Sequence, residues 1–109
     1  NLTSLPEGLK VNGSLYLSDC TSLTSLPTNL LVQNLLDLLR CTSLTSLPPG
    51  LQVNGNLYLE SCTSLTSLSP DLYVGNELYL SKNLKKQIKD DAKRLKKEGK
   101  IKGEIKYKY

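Results

Sequence analysis

A repeat solenoid is the fold class this sequence predicts, and three observations predict it. The pentapeptide LTSLP stands at 2–6, 23–27 and 44–48, with a degenerate fourth copy, LTSLS, at 65–69. Six apolar positions travel with it at a spacing of 21 residues: Leu2, Leu5, Leu9, Val11, Leu15 and Leu17 in the first copy return, in phase, as far as Leu65, Leu68, Leu72, Val74, Leu78 and Leu80 in the fourth. Their neighbours drift between Ser, Lys, Asn, Glu and Tyr, so the six face a shared interior that no single copy could close and that stacking completes. After residue 84 the period becomes helical. The expected architecture is therefore four coils (1–22, 23–43, 44–64 and 65–84) of mostly short parallel strands and extended segments, followed by a cap over 85–109 with one C-terminal capping helix.

Each part of the repeat has its own reason. Leu15-x-Leu17 and its copies alternate as a half-buried strand does. Gly13, Asn34, Gly55 and Asn76 share one position, and Gly alternating with Asn is expected where φ is positive, in a turn into that strand. Pro6, Pro27 and Pro48 share another, where a fixed φ and a missing N–H suit an extended segment outside any ladder. Ser69-Pro70 shifts by one place, which predicts a looser last coil. Twenty-one residues with a proline leave no room for a full helix in each coil, so short strands and extended or 3₁₀ segments are expected on the far side.

Cys20, Cys41 and Cys62 stand 21 apart, and Asn83 falls one step further on. They form a predicted structural ladder. Parallel side-chain vectors would strain a disulfide, there is no histidine, and no repeat holds a second cysteine, so reduced, buried thiols are expected rather than a disulfide frame, a zinc site or a catalytic thiol. Reduced thiols favour a reducing compartment such as the cytoplasm.

The segments LYLSDCTSL and LYLESCTSL have the form LxLxxCxxL, which resembles the signature of leucine-rich repeats. The other half of the repeat, LTSLPxxLxVxG, is similar to the short leucine-rich repeats of bacterial and phage proteins, including the LPX type of secreted effectors. The resemblance covers 1–84 and departs in repeat length and in having Cys for Asn. It implies a strand at LxL lining a concave face, a Cys or Asn that hydrogen-bonds the backbone of the following turn, and recognition of a protein partner. It also leaves secretion as an effector open beside a cytoplasmic location.

Outward side chains of the LxL segments are the candidate partner-binding residues. Stacking aligns Tyr16, Asp37, Tyr58 and Tyr79 in one column, and tyrosine offers large contact area, a polar tip and little entropy to lose. Exposed strands also favour tyrosine by β-propensity alone. In the second repeat Leu31, Leu35 and Leu39 replace residues that are polar in the first and third. Either they form an exposed apolar hot spot beside Tyr16 and Tyr58, or LLDLLR has slipped register and buried some of them; the constant phase of Leu36, Leu38 and Cys41 favours the hot spot. The partner-binding set is thus Tyr16, Leu35, Asp37, Leu39, Tyr58 and Tyr79. Threonine and serine ladders, such as Thr24, Thr45 and Thr66, raise ice binding as a remote alternative. Local hydrogen bonding across coils explains them more simply.

The formal charge of +4 hides a division. Residues 1–81 carry two cations against six anions, net −4, and residues 82–109 carry twelve against four, net +8. Leu84, Ile88, Ala92 and Leu95 lie on one helical stripe, predicting a helix over about 84–98 that Ser81 or Asn83 caps and Gly99 ends. IKGEIKYKY then either adds a strand to the cap or stays loose. The basic tail invites nucleic-acid or anionic-surface binding, but Asp90, Asp91, Glu98 and Glu104 interrupt the run as in a solvated face. Catalysis finds no foothold: there is no histidine, no phosphate-cradling glycine loop and no convergent carboxylate pair, and no cofactor is implied. No apolar run approaches membrane-spanning length, so a soluble module is expected. The absence of methionine and a start inside a repeat suggest a piece of, or a product from, a longer chain. A purely structural scaffold is the remaining alternative.

Overall fold

The computed structural model describes residues 3–82 and 84–108, and shows a parallel-strand solenoid closed by a helix. Every coil contributes two short strands. The first of each pair, β1 (Lys10–Val11), β3 (Leu31–Val32), β5 (Gln52–Val53) and β7 (Tyr73–Val74), form a four-stranded sheet in the order β1-β3-β5-β7. The second, β2 (Leu15–Tyr16), β4 (Leu36–Asp37), β6 (Leu57–Tyr58) and β8 (Leu78–Ser81), form another, which β9 (Ile105–Lys108) extends to the order β2-β4-β6-β8-β9. Pairing is parallel and in register throughout, with Leu15 against Leu36, Leu36 against Leu57 and Leu57 against Leu78. Equivalent positions of the repeat therefore stand over one another, each coil continuing the ladder of the last.

The interior is built from those ladders. Leu30, Val32, Leu36, Leu38, Leu51, Val53, Leu57, Leu59, Leu72, Val74, Leu78 and Leu80 are fully buried. At roughly 1.5–3 kcal/mol for each fully buried aliphatic side chain, these ladders are the main force holding the coils together. Leu5, Leu9, Val11, Leu15 and Cys20 in the first coil are only partly buried against this core, because a neighbour covers them from one side.

Two kinds of turn position have positive φ: Gly8, Asn29 and Gly50 (φ 76°, 59° and 73°), and Asp19, Arg40 and Ser61 (φ 63°, 59° and 62°). Gly13, Asn34, Gly55 and Asn76 have none, contrary to the expectation. At Gly55 the requirement is space: a Cβ there would lie 2.8 Å from the backbone carbonyl of Asn34 in the preceding coil. The four-stranded sheet is built from the short strands expected on the far side of the coils, here paired between neighbouring coils. It also removes Leu31 from the proposed apolar cluster, because Leu31 pairs with Lys10 and Gln52 on the other sheet.

The helix α1 runs Lys86–Lys97. Ile88, Ala92 and Leu95 are fully buried and Leu84 nearly so, so the apolar stripe covers the end of the core. Its N-cap is Lys85, with no side-chain capping bond; Ser81 belongs to β8 and its Oγ accepts from the Ser61 N–H at 2.7 Å. Asn83, the other expected cap and the last rung of the Cys/Asn ladder, lies outside the described residues, as does Leu2. Gly99 ends the helix at φ 80°, with the Gly99 N–H on the Lys96 carbonyl and the Lys100 N–H on the Leu95 carbonyl. That crossed pair is a Schellman motif. Ile101 then bridges Val74, and Ile105 pairs with Leu78, both 27 residues on. The tail is thus a fifth coil, six residues longer than the others because a helix replaces the LTSLP side.

Candidate functional site

The outward face of the five-stranded sheet carries the predicted column, since register places Tyr16 beside Asp37, Asp37 beside Tyr58, Tyr58 beside Tyr79 and Tyr79 beside Lys106. Tyr58 and Tyr79 stack with ring centroids 4.6 Å apart and planes 13° from parallel. The stack is pinned at its polar ends. The Asn56 side-chain amide donates to the Tyr58 hydroxyl at 3.1 Å, and the Tyr79 hydroxyl donates to Glu77 at 2.8 Å. The Glu77 N–H donates to Asn56 at 3.0 Å, tying the two coils, and Lys106 both pairs with Glu77 at 3.3 Å and lies 6.0 Å from the Tyr79 ring centroid.

The electrostatics follow from these contacts. The Tyr79 hydroxyl and then Lys106 hold the Glu77 carboxyl below its ordinary range, and the same hydrogen bond from the other side pushes Tyr79 up to about 12. Tyr16 stands apart, 67% exposed, and Asp37 separates it from the stack. Asp37 accepts from the Leu39 N–H at 3.0 Å, which orients its carboxylate along its own strand. Leu35 and Leu39 flank it and are half-buried rather than open, while Leu36 and Leu38 stay in the core, so the register of LLDLLR is kept.

Beside this column lies Glu60, two residues after Tyr58 on the same strand line. It is 7% exposed, and its Oε1 has no hydrogen-bond partner. Burial raises its pKa, the Asp37 carboxylate adds to the rise, and Lys108 offsets part of it. Lys106 and Lys108 were invisible as site residues because the 27-residue step to β9 breaks the repeat period. Asn56 and Glu77, by contrast, precede Tyr58 and Tyr79 by two residues, so the strand's own alternation places them on the same face.

The cysteine ladder lies elsewhere, inside the turn. Cys41 and Cys62 are buried and Cys20 partly so, all three as free thiols. The Cys41 Sγ donates to the Leu17 carbonyl at 3.1 Å and the Cys62 Sγ to the Leu38 carbonyl at 3.0 Å, so each thiol reaches back to the preceding coil rather than to the turn that follows it. Burial pushes Cys41 up to about 11 and Cys62 to about 12. Among the described residues no group of three or more His, Cys, Asp or Glu side chains could hold a metal ion, and no helix is long and apolar enough to cross a membrane.

Comparison with protein-family models, with curated proteins and with solved structures gives no match.

Proposed function

We propose that this chain is a non-enzymatic recognition module of leucine-rich-repeat type that binds a protein through the outward face of the β2-β4-β6-β8-β9 sheet. The supporting observation is the stacked Tyr58–Tyr79 pair, fixed by Asn56, Glu77 and Lys106 before any partner arrives. Side chains already held in one rotamer lose little entropy on binding, and aromatic residues in such positions carry a large share of interface energy. Tyr16 extends the surface as an exposed aromatic, Leu35 and Leu39 supply apolar contact, and Asp37 adds a charge between the rings. The bacterial or phage character of the repeat rests on the sequence resemblance alone.

The test compares capture by the intact chain with capture by Tyr58→Ala combined with Leu35→Ala, from the same extract and with circular dichroism confirming an unchanged fold. Loss of the captured protein by about tenfold or more, the usual effect of removing one anchor residue, supports this face. Equal capture by both refutes it.

A further inference from the structure

The capping coil holds a cavity that the sheet face does not explain. A cleft of about 360 Å³ opens between α1 and β9, lined by Lys82, Lys89, Lys93 and Tyr107. Its position follows from the register. Tyr107 pairs with Leu80, so it occupies the inward column that Leu17, Leu38, Leu59 and Leu80 fill in the earlier coils. Those leucines are buried by the next coil, whereas Tyr107 is half-buried at the last one, and part of its ring forms a wall of the cleft.

Three of the tail's lysines, Lys82, Lys89 and Lys93, line this cleft. Lys86 pairs with Asp90, Lys100 with Glu98 and Lys106 with Glu77. Among the described residues Lys82, Lys89 and Lys93 have no ion pair with a carboxylate, although the field of Lys93 reaches Asp90. Lys89 is nonetheless held: its ammonium donates to the Lys82 carbonyl and lies 6.0 Å from the Tyr107 ring centroid. Lys89 and Lys93 are one helical turn apart and present their charges to the same side. Three ammonium groups around one concavity repel one another, and a multiply charged anion removes that repulsion. The cleft is also larger than a bare oxyanion needs, falling at the lower end of the roughly 300–1,000 Å³ common for small-molecule sites, and an aromatic wall suits a planar, partly apolar body.

We propose that this cleft is a nucleotide site, in which Lys82, Lys89 and Lys93 take the phosphate and the free part of the Tyr107 ring contacts the base. The ligand is a free nucleotide or one nucleotide of a single strand, which share this chemistry. The site is independent of the tyrosine face proposed for protein recognition.

Calorimetric titration of the 109-residue chain separates the outcomes. The probes are adenosine monophosphate, adenosine triphosphate, adenosine, inorganic phosphate, a phosphotyrosine peptide and a thymidine pentanucleotide. A nucleotide is expected to bind more tightly than either adenosine or phosphate. Lys89→Gln and Lys93→Gln should each weaken it by about tenfold, the usual effect of losing one charge-assisted contact, while Lys97→Gln on the same helix leaves it unchanged. Tyr107→Leu, which restores the residue of the preceding coils and so preserves the fold, should reduce nucleotide affinity to that of phosphate. Tighter binding of the pentanucleotide than of the mononucleotides, still sensitive to Lys89→Gln, assigns the site to a strand; the reverse order assigns it to free nucleotide. The proposal is overturned by no nucleotide binding, by equal weakening from Lys97→Gln, which marks diffuse helix charge, or by preference for the phosphotyrosine peptide.

Discussion

At the scale of single residues, Glu60 is the side chain whose environment fits it least. The residue is 7% exposed with one carboxylate oxygen unpartnered, and Asp37 adds a second negative charge nearby. A raised pKa in the folded state means that the native chain holds this proton more tightly than the unfolded chain does. Stability should then fall as pH rises from the ordinary glutamate range through the raised value, and stay lower above it. Glu60→Gln keeps the shape and removes the charge. It is expected to raise stability at neutral pH by removing the charge that burial and Asp37 disfavour, and to flatten this part of the pH profile. Urea melts of both chains at several pH values check it; a variant less stable at neutral pH would show that the charge is compensated.

The thiols allow a second prediction at this scale. Cys41 and Cys62 are fully buried and their pKa values are pushed up to about 11 and 12, whereas Cys20 is partly open. The thiolate is the reactive form, so iodoacetamide at neutral pH should label Cys20 alone in the native chain and all three after unfolding, as mass spectrometry of peptides would report. The cysteine spacing was legible because it repeats. The positive-φ positions were misread because Gly8, Asn29 and Gly50 show the same Gly/Asn exchange as the Gly13 series. Composition alone does not tell a glycine needed for its dihedral from one needed for clearance, as at Gly55.

Among the elements, α1 was readable from its apolar stripe and its glycine stop, but what fastens it to the stack was not. Asp91 is 2% exposed on the buried side of the helix. Its Oδ2 accepts from the Leu68 N–H at 3.0 Å, and its Oδ1 accepts from Gln87 at 2.9 Å and pairs with Arg94 at 3.2 Å. The fourth coil keeps the turn of the others despite the shift to Ser69-Pro70, and Asp91 supplies the acceptor for its Leu68 amide. Asp91→Ala strands that buried N–H and should cost roughly 2–3 kcal/mol, whereas Asp90→Ala on the exposed side, where the carboxylate pairs with Lys86 in water, should change stability far less. Thermal melts of the two variants make the comparison, and similar losses would mean that Asp91 does not anchor the helix. No pattern in the sequence distinguishes the two aspartates except their phase relative to Ile88, Ala92 and Leu95. The strand β9 is not legible in the sequence for a related reason: its partner lies 27 residues away, a step no earlier repeat uses.

For the whole molecule, stability should be graded along the stack rather than uniform. A solenoid's free energy is close to a sum of coil terms and nearest-neighbour interfaces. The two ends differ in this respect. At the C-terminal end the last LxL strand, β8, has β6 on one side and β9 on the other, and α1 covers the core with Ile88, Ala92 and Leu95. At the other end β1 and β2 each have one neighbour, and Leu9, Val11 and Leu15 remain partly open. Opening the first coil therefore breaks one interface, whereas opening the third breaks two. Amide hydrogen exchange should accordingly be fastest in β1 and β2, slower in β3 and β4, and slowest from β5 to β8, with protection rising stepwise along the chain. Leu95→Asp, which places an unpaired charge under the helix, should remove the asymmetry by letting the capped end exchange as fast as the open one. Uniform protection in the intact chain would instead mean that the five coils open as a single cooperative unit, and the nearest-neighbour description would fail.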